Sequence, residues 1–256
     1  MGNSRKKVLI TGMSGLIGGL LRRRLERAGG YELSALNRRR VEGVACFQGD
    51  ISDLGAIRPA FVGQDVAVHL AAQLGDVPFE SLVAVNLVGT YNVYEAARLA
   101  GVQRVVFASS GSTIKAWEGV PPYDAIAQGR YGDLPSSWPM ITHEMVRPRG
   151  TYGASKVWGE ALGRHFSDAY GLSVLCVRVG SVHAEDHPSL ARPSATYLSN
   201  RDVADILHRC IDAPDELKYD IFFATSKNRY GYRDLEHPRE VLGFVPQDTD
   251  DRAFQG

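Results

Sequence analysis

The chain has 256 residues, enough for one domain with a sizeable buried core. Its 29 Lys and Arg balance 29 Asp and Glu, and 44% of its residues are hydrophobic, which argues against a basic nucleic-acid surface or an acidic disordered arm and fits a globular protein. Cys46, Cys176 and Cys210 are scattered and odd in number, so neither a disulfide framework nor a cysteine metal site is expected, and a reducing, cytoplasmic setting is.

The basic start "MGNSRKK" runs into "VLITGMSGLIGGLL", whose glycines suit a strand and turn better than a signal-peptide core or a membrane span. "KVLITG" reads as a buried strand and "LIGGLLRRRLERAG" as a helix, with most of the Arg22–Arg24 run on its solvated face. Between them "TGMSGLIG" places Gly12, Gly15 and Gly18, with Leu16 and Ile17, where a strand turns into a helix. Glycine there permits a tight turn, close backbone approach to a pyrophosphate, and helix packing on the strand, while the helix start offers N–H groups to phosphate. The pattern in that context predicts a dinucleotide cradle.

The next strand, "YELSALN", ends at Asn37 and is followed by Arg38, Arg39 and Arg40. A carboxylate at that point would bind both ribose hydroxyls and favour NAD; its absence beside guanidinium groups favours a 2′-phosphate, so NADP is expected somewhat ahead of NAD. "GDISD" offers Asp50 and Ile51 to the adenine edge. "DVAVHLAA" is another strand, with His69 near its end as a neighbour of the cofactor rather than a catalyst. "FESLVAVNLVGTYNVYEAARLAG" is a long helix whose Leu82, Val85, Val93 and Ala97 recur on one face, and whose Asn86 amide could support the active-site backbone.

"RVVFASS" is a strand ending at Ser110. From Trp117 to Gly150 the chain is rich in proline and glycine and has no period, which predicts a long functional or mobile loop. "YGASKVWGEALGRHFSDAYG" then reads as a helix and "SVLCVRVG" as a strand. Apolar strands alternating with helices imply an α/β fold, a Rossmann-type doubly wound parallel sheet covered on both sides. We read one domain over 1–256, with a dinucleotide-binding core over about 1–180 and a small substrate-binding part over about 181–256. His143, His183 and His187 show no metal spacing and read as loop residues, so no metal is expected; Trp117, Trp138 and Trp158 read as packing.

Tyr152 and Lys156 lie one helical turn apart and share a face. Taken alone, the pair is either surface decoration or a proton-transfer set. The segments "TGMSGLIG", "GDISD", "HLAA", "NLVGTYNVYEAA", "VVFASS", "YGASK" and "VRVGS" together resemble, in order, the extended short-chain dehydrogenase/reductase superfamily, which includes the NAD-dependent epimerase/dehydratase enzymes.

The resemblance implies that Tyr152 is the general acid/base, that Lys156 lowers its pKa and holds the nicotinamide ribose, and that Ser110 holds the substrate oxygen. It further implies that Leu70, Ala71, Ala72, Asn86 and Val179 line the cofactor.

Within the superfamily the chain is most similar to the compact sugar dehydrogenases such as the uronate dehydrogenases. That likeness implies substrate contacts from Gln73, Leu74, Gly111, Ser112, Ser181 and Arg192, the last as an anion-binding guanidinium. Gly111, Ser112 and Leu74 depart from the uronate pattern and put uronate itself in question. The implied function is NAD- or NADP-dependent hydride transfer on a sugar or sugar acid. An epimerase or dehydratase is the alternative, and a non-catalytic dinucleotide sensor a further one. A homodimer is expected by analogy, with no nucleic-acid or membrane partner.

Overall fold

The computed structural model describes residues 5–75, 77–188 and 191–250, with 191–193 described by their backbone alone. Seven strands form one sheet: β1 (Lys6–Thr11), β2 (Tyr31–Asn37), β3 (Ala45–Gln48), β4 (Val66–His69), β5 (Arg104–Ser110), β6 (Ser173–Val179) and β7 (Tyr219–Ala224). All pairings are parallel, in the order β3-β2-β1-β4-β5-β6-β7. The order reverses between β1 and β4, which opens a crevice at their carboxyl ends, where such sheets bind ligands. This is the doubly wound Rossmann-type sheet that the alternating pattern predicts.

The helices are α1 (Leu16–Ala28), α2 (Leu54–Phe61), α3 (Phe79–Leu82), α4 (Gly89–Ala100), α5 (Tyr123–Ala127), α6 (Gly150–Tyr170), α7 (Ala191–Thr196), α8 (Asn200–Asp212) and α9 (Glu236–Leu242). Both faces of the sheet are covered, so its central strands are apolar on both sides. On one face Leu21 and Leu25 of α1 meet Ile206, Leu207 and Cys210 of α8 over Val8, Ile10, Val106 and Val177. On the other, Ile57 and Phe61 of α2, Val93 and Tyr94 of α4 and Phe166 of α6 cover Leu9, Ala67, Phe107 and Cys176.

Three features differ from the sequence reading. Between α3 and α4, Val83–Val88 is wound as a π-helix, so 79–100 is not a uniform α-helix. Arg24 does not stand on a solvated face, because it reaches across to Asp205 and His208 on α8. The segment read as a loop over 117–150 is irregular from 134 to 149, but its first half holds short helical turns: Gly111–Gly119 and Tyr131–Asp133 are 3-10 and α5 sits between them. Ile114, Tyr123, Ile126 and Ile141 pack there with Ala195, Phe223 and Tyr232 from the C-terminal part, forming a third apolar cluster. Single turns have no room for an amphipathic period, so the composition alone cannot reveal them.

Among the described residues no helix is long and apolar enough to cross a membrane. A cavity of about 540 Å³ opens at the amino ends of the strands, between Arg5, Asp65, Arg104 and Lys218, away from the crevice. Arg104 there is a structural group: its guanidinium caps the end of α8 through the carbonyls of Ala213 (2.6 Å) and Pro214 (2.7 Å).

Candidate active site

The crevice starts at the first turn. Gly12 has φ +71°, and a Cβ there would stand 2.9 Å from the Ala71 nitrogen. A Cβ on Gly18 would stand 2.6 Å from the Gly12 oxygen, so glycine lets α1 start tightly against β1. Gly15 caps α1 in an extended conformation without a side-chain cap bond. The amide groups of the first helical turn therefore face the crevice without a capping side chain, a fit for dinucleotide phosphates.

Asn37, at the end of β2, accepts a hydrogen bond from the Met13 N–H (2.9 Å) and donates one to Ser14 Oγ (2.6 Å). Its amide thus fixes the shape of the glycine turn. Arg38 and Arg39 beyond it are exposed, and Arg40 pairs with Glu42 at 3.0 Å. The Asp50 carboxyl is held below its usual range, chiefly by hydrogen bonding from the Ser52 backbone, with Arg38 contributing. Ile51 is buried beneath Gly89, and Asn92 donates to its carbonyl at 2.9 Å.

The other wall follows β4. The Leu70 N–H bonds the Thr11 carbonyl (3.3 Å) and the Ala71 N–H bonds Thr11 Oγ1 (3.1 Å). His69 is buried between Thr11 (2.9 Å) and Thr90 (3.3 Å). Burial, and then the Lys156 charge, depress its imidazole to about 3, so it stays neutral at physiological pH. Ala72 and Gln73 continue this wall. The Gln73 backbone is clamped by Asn86, which accepts from its N–H (2.8 Å) and donates to its carbonyl (3.1 Å). Asn86 also donates to Ser155 Oγ (3.1 Å), which donates to the Tyr152 carbonyl (2.8 Å). Asn86 sits in the π-helical turn, and such turns recur at functional sites.

The third wall carries Ser110, Tyr152 and Lys156. Ser110 ends β5, and its hydroxyl accepts the Ser112 N–H at 3.1 Å. Tyr152 stands in the first turn of α6, which packs so tightly on the end of β5 that a Cβ on the next residue, Gly153, would lie 2.6 Å from the Ser112 oxygen. Lys156, one turn on, donates to the Ala108 carbonyl at 2.7 Å and stands 5.8 Å from the Tyr152 ring centroid. Burial pushes the Tyr152 phenol up to about 12, against the pull of Ser110. Burial also pulls the Lys156 ammonium down to about 8, with Glu160 opposing. Val179 lies beside Ser110 in the sheet register.

Glu160 escapes motif reading, although it continues the Tyr152–Lys156 face by another turn. It is buried, accepts Ser109 Oγ at 2.5 Å, and forms a two-point pair with Arg178 at 2.9 and 2.8 Å. Arg178 also donates to the Met145 carbonyl at 2.9 Å, tying the segment before α6 to β6. Arg233 also escapes it: its guanidinium occupies the space beside Gly111, where a Cβ would lie 2.1 Å from Nη2.

The remaining substrate candidates lie on three further segments. Leu74 is 63% exposed on the surface. Ser181 pairs its hydroxyl with Thr196 at 2.8 Å. The Arg192 side chain lies outside the described residues.

A phosphate cradle at the sheet's switch point, facing a Ser–Tyr–Lys wall, defines a nicotinamide-dinucleotide enzyme of the short-chain dehydrogenase type. The sequence pattern of the NAD dependent epimerase/dehydratase family matches residues 8–200, and the chain belongs to that family. It is 30% identical over 262 residues to the NAD-dependent glucose-6-phosphate dehydrogenase of Haloferax volcanii, covering 97% of this chain and 96% of that one. It is 33% identical over 249 residues to the uronate dehydrogenase of Agrobacterium fabrum, covering 95% and 85%. The crystal structure of uronate dehydrogenase from Agrobacterium tumefaciens superposes with a TM-score of 0.80 at 29% identity, over 97% of this chain and 87% of that one.

Proposed function

We propose that the protein is an NAD(P)-dependent dehydrogenase that oxidises a hydroxyl carbon of a sugar or sugar acid. The observation that carries this is the close packing of the start of α6 on the end of β5, which sets Tyr152 beside Ser110, with Lys156 one turn away on the Ala108 carbonyl and the glycine cradle across the crevice. The bound nicotinamide supplies the hydride acceptor. Ser110 and Tyr152 hold the substrate oxygen between them. Tyr152 takes its proton as the carbon gives up hydride, and the Lys156 charge stabilises the phenolate that makes this feasible. Lys156 is aimed at this task by the Ala108 carbonyl and kept cationic by Glu160.

Arg233 gives the substrate a sign. It is buried against Gly111, the residue after Ser110, with the Phe223 ring 5.9 Å away. A guanidinium in that position suits a carboxylate or phosphate on the sugar. Arg38, exposed beyond Asn37, supports use of NADP as well as NAD. The relatives that match along their length include an L-arabinose 1-dehydrogenase (NAD(P)+), whereas the UDP-glucose 4-epimerase of Mycolicibacterium smegmatis matches over 56% of its length. That contrast favours net oxidation over epimerisation. Three free thiols fit a reducing, cytoplasmic setting. Val88, Tyr91 and Leu99, exposed along 79–100, and Trp158, exposed on α6, fit a homodimer built on those helices.

The test is purified protein with NAD or NADP and a panel of glucuronate, galacturonate, glucose 6-phosphate and L-arabinose, followed by reduced-nicotinamide absorbance. Net reduction is expected. Tyr152→Phe is expected to lower turnover at least about a thousandfold while cofactor affinity changes by less than about twofold. Isomer formation without net reduction would replace this reading with an epimerase.

A further inference from the structure

His143, Asp220 and His237 converge although they are far apart in sequence and read as unremarkable one by one. His143 lies just after Ile141, which bridges to Arg233. Asp220 is in β7, the edge strand, and His237 is in α9. Their ligand atoms all lie within 4.8 Å of one another. His237 Nε2 is 2.9 Å from Asp220 Oδ1, and the Ile221 N–H, donating to the same oxygen at 2.7 Å, steadies that carboxylate. The two imidazoles stack, centroids 4.0 Å apart and planes at 14°, with Phe222 stacked on His237 at 5.4 Å.

Nδ1 of His143 is buried and has no hydrogen-bond partner among the described residues. A buried orphan nitrogen costs about 1–3 kcal/mol, so its persistence calls for a partner. Two imidazoles and one carboxylate are the donor set of a borderline metal ion such as zinc, with a fourth position left for water.

We propose that His143, Asp220 and His237 form a binding site for a divalent transition metal of the zinc class. Zinc ligands at about 2.1 Å lie roughly 3.4 Å from one another in a tetrahedron. Closing the set therefore takes about an ångström of movement, and the stacked rings must turn about χ2 until their lone pairs converge. The metal is a brace rather than part of the hydride transfer. It pins the segment around His143, and α9, to the edge strand. Met145 in that segment already accepts from Arg178, which holds Glu160 behind Lys156, so the brace steadies the outer flank of the active site.

The full chain, stripped with chelator, is titrated with Zn(II) by calorimetry and with Co(II) by visible absorption. One equivalent per chain is expected, with a Co(II) band of tetrahedral or five-coordinate type. His143→Phe and His237→Phe keep a flat ring in each stack and remove the ligand, and circular dichroism checks their fold. Each is expected to weaken binding at least about tenfold, and Asp220→Asn to weaken it with no change of shape. Absence of saturable binding in the wild type overturns the site. So does binding that survives both Phe variants, which places the metal elsewhere, for instance on the half-buried Cys46 thiol. No outcome depends on turnover, so the result stands apart from the dehydrogenase reading.

Discussion

Lys156 and Tyr152 are tuned by the same burial in opposite directions. The lysine falls to about 8 and the phenol rises to about 12, because each is pushed toward its neutral form. Removing one proton from the pair leaves either a phenol with a neutral amine or a phenolate with an ammonium. Both carry the same net charge, so the pair loses its first proton near the lower value, and the second arrangement is the competent base. We expect kcat/KM for oxidation to climb as pH rises through about 8 and then level off. In Lys156→Met the rise should move beyond about pH 10, toward an unassisted phenol, with activity down by a factor of about 10²–10³. A flat profile in the wild type would remove the pair from the chemistry. At the ribose end, Arg38→Ala should weaken NADP about tenfold and leave NAD nearly unchanged, because an exposed guanidinium there adds a charge-assisted contact to a 2′-phosphate that NAD lacks. Equal effects on the two cofactors, measured by fluorescence titration, would dismiss that contact.

Elements bring these residues to one place, and here Asn86 is the hinge pin. Its π-helical turn lets one amide serve the Gln73 backbone, behind β4, and Ser155, on α6, at once. Asn86→Leu fills a similar volume but leaves the Gln73 N–H and carbonyl without their partner, at about 1–3 kcal/mol each. The expected result is a lower denaturant midpoint together with a kcat drop of about tenfold or more, since both walls of the crevice loosen; a change in stability alone would make Asn86 purely structural. The glycine turn, the apolar strands β1, β2, β4, β5 and β6 and the Tyr152–Lys156 turn were legible because their signals are local. The π-helical turn was not, since its sequence is ordinary helix former and its cause is a tertiary clamp. The edge strand β3 was missed because it is four residues long and half-exposed, with no apolar run. Glu160 was within reach, as it repeats the i, i+4 step. Arg233 was not: its partner Gly111 is distant in sequence, and the missing side chain at 111 is meaningful only once the guanidinium is seen beside it.

At the scale of the whole molecule, the sheet's central strands carry a titratable group that folding keeps neutral. His69 bridges Thr11 and Thr90 at the centre of the sheet, and its depression to about 3 reflects burial first and the Lys156 charge second. In the unfolded chain it titrates near 6.5. Between the two values the unfolded state binds more protons than the native one, so stability rises with pH across that window and is lost as pH falls from 6.5 toward 3. The full shift corresponds to roughly 5 kcal/mol at most, a large share of the stability of a domain of this size. Carboxylates that are paired in the fold, such as Asp50, add to the same acid slope, so the wild type alone cannot assign it. His69→Gln separates the terms, because an amide can bond both threonines and does not titrate. Urea midpoints at about pH 7 and about pH 4 should fall much further in the wild type than in His69→Gln. Parallel losses in the two proteins would mean that the carboxylates, and not the imidazole between β1, β4 and α4, limit acid stability.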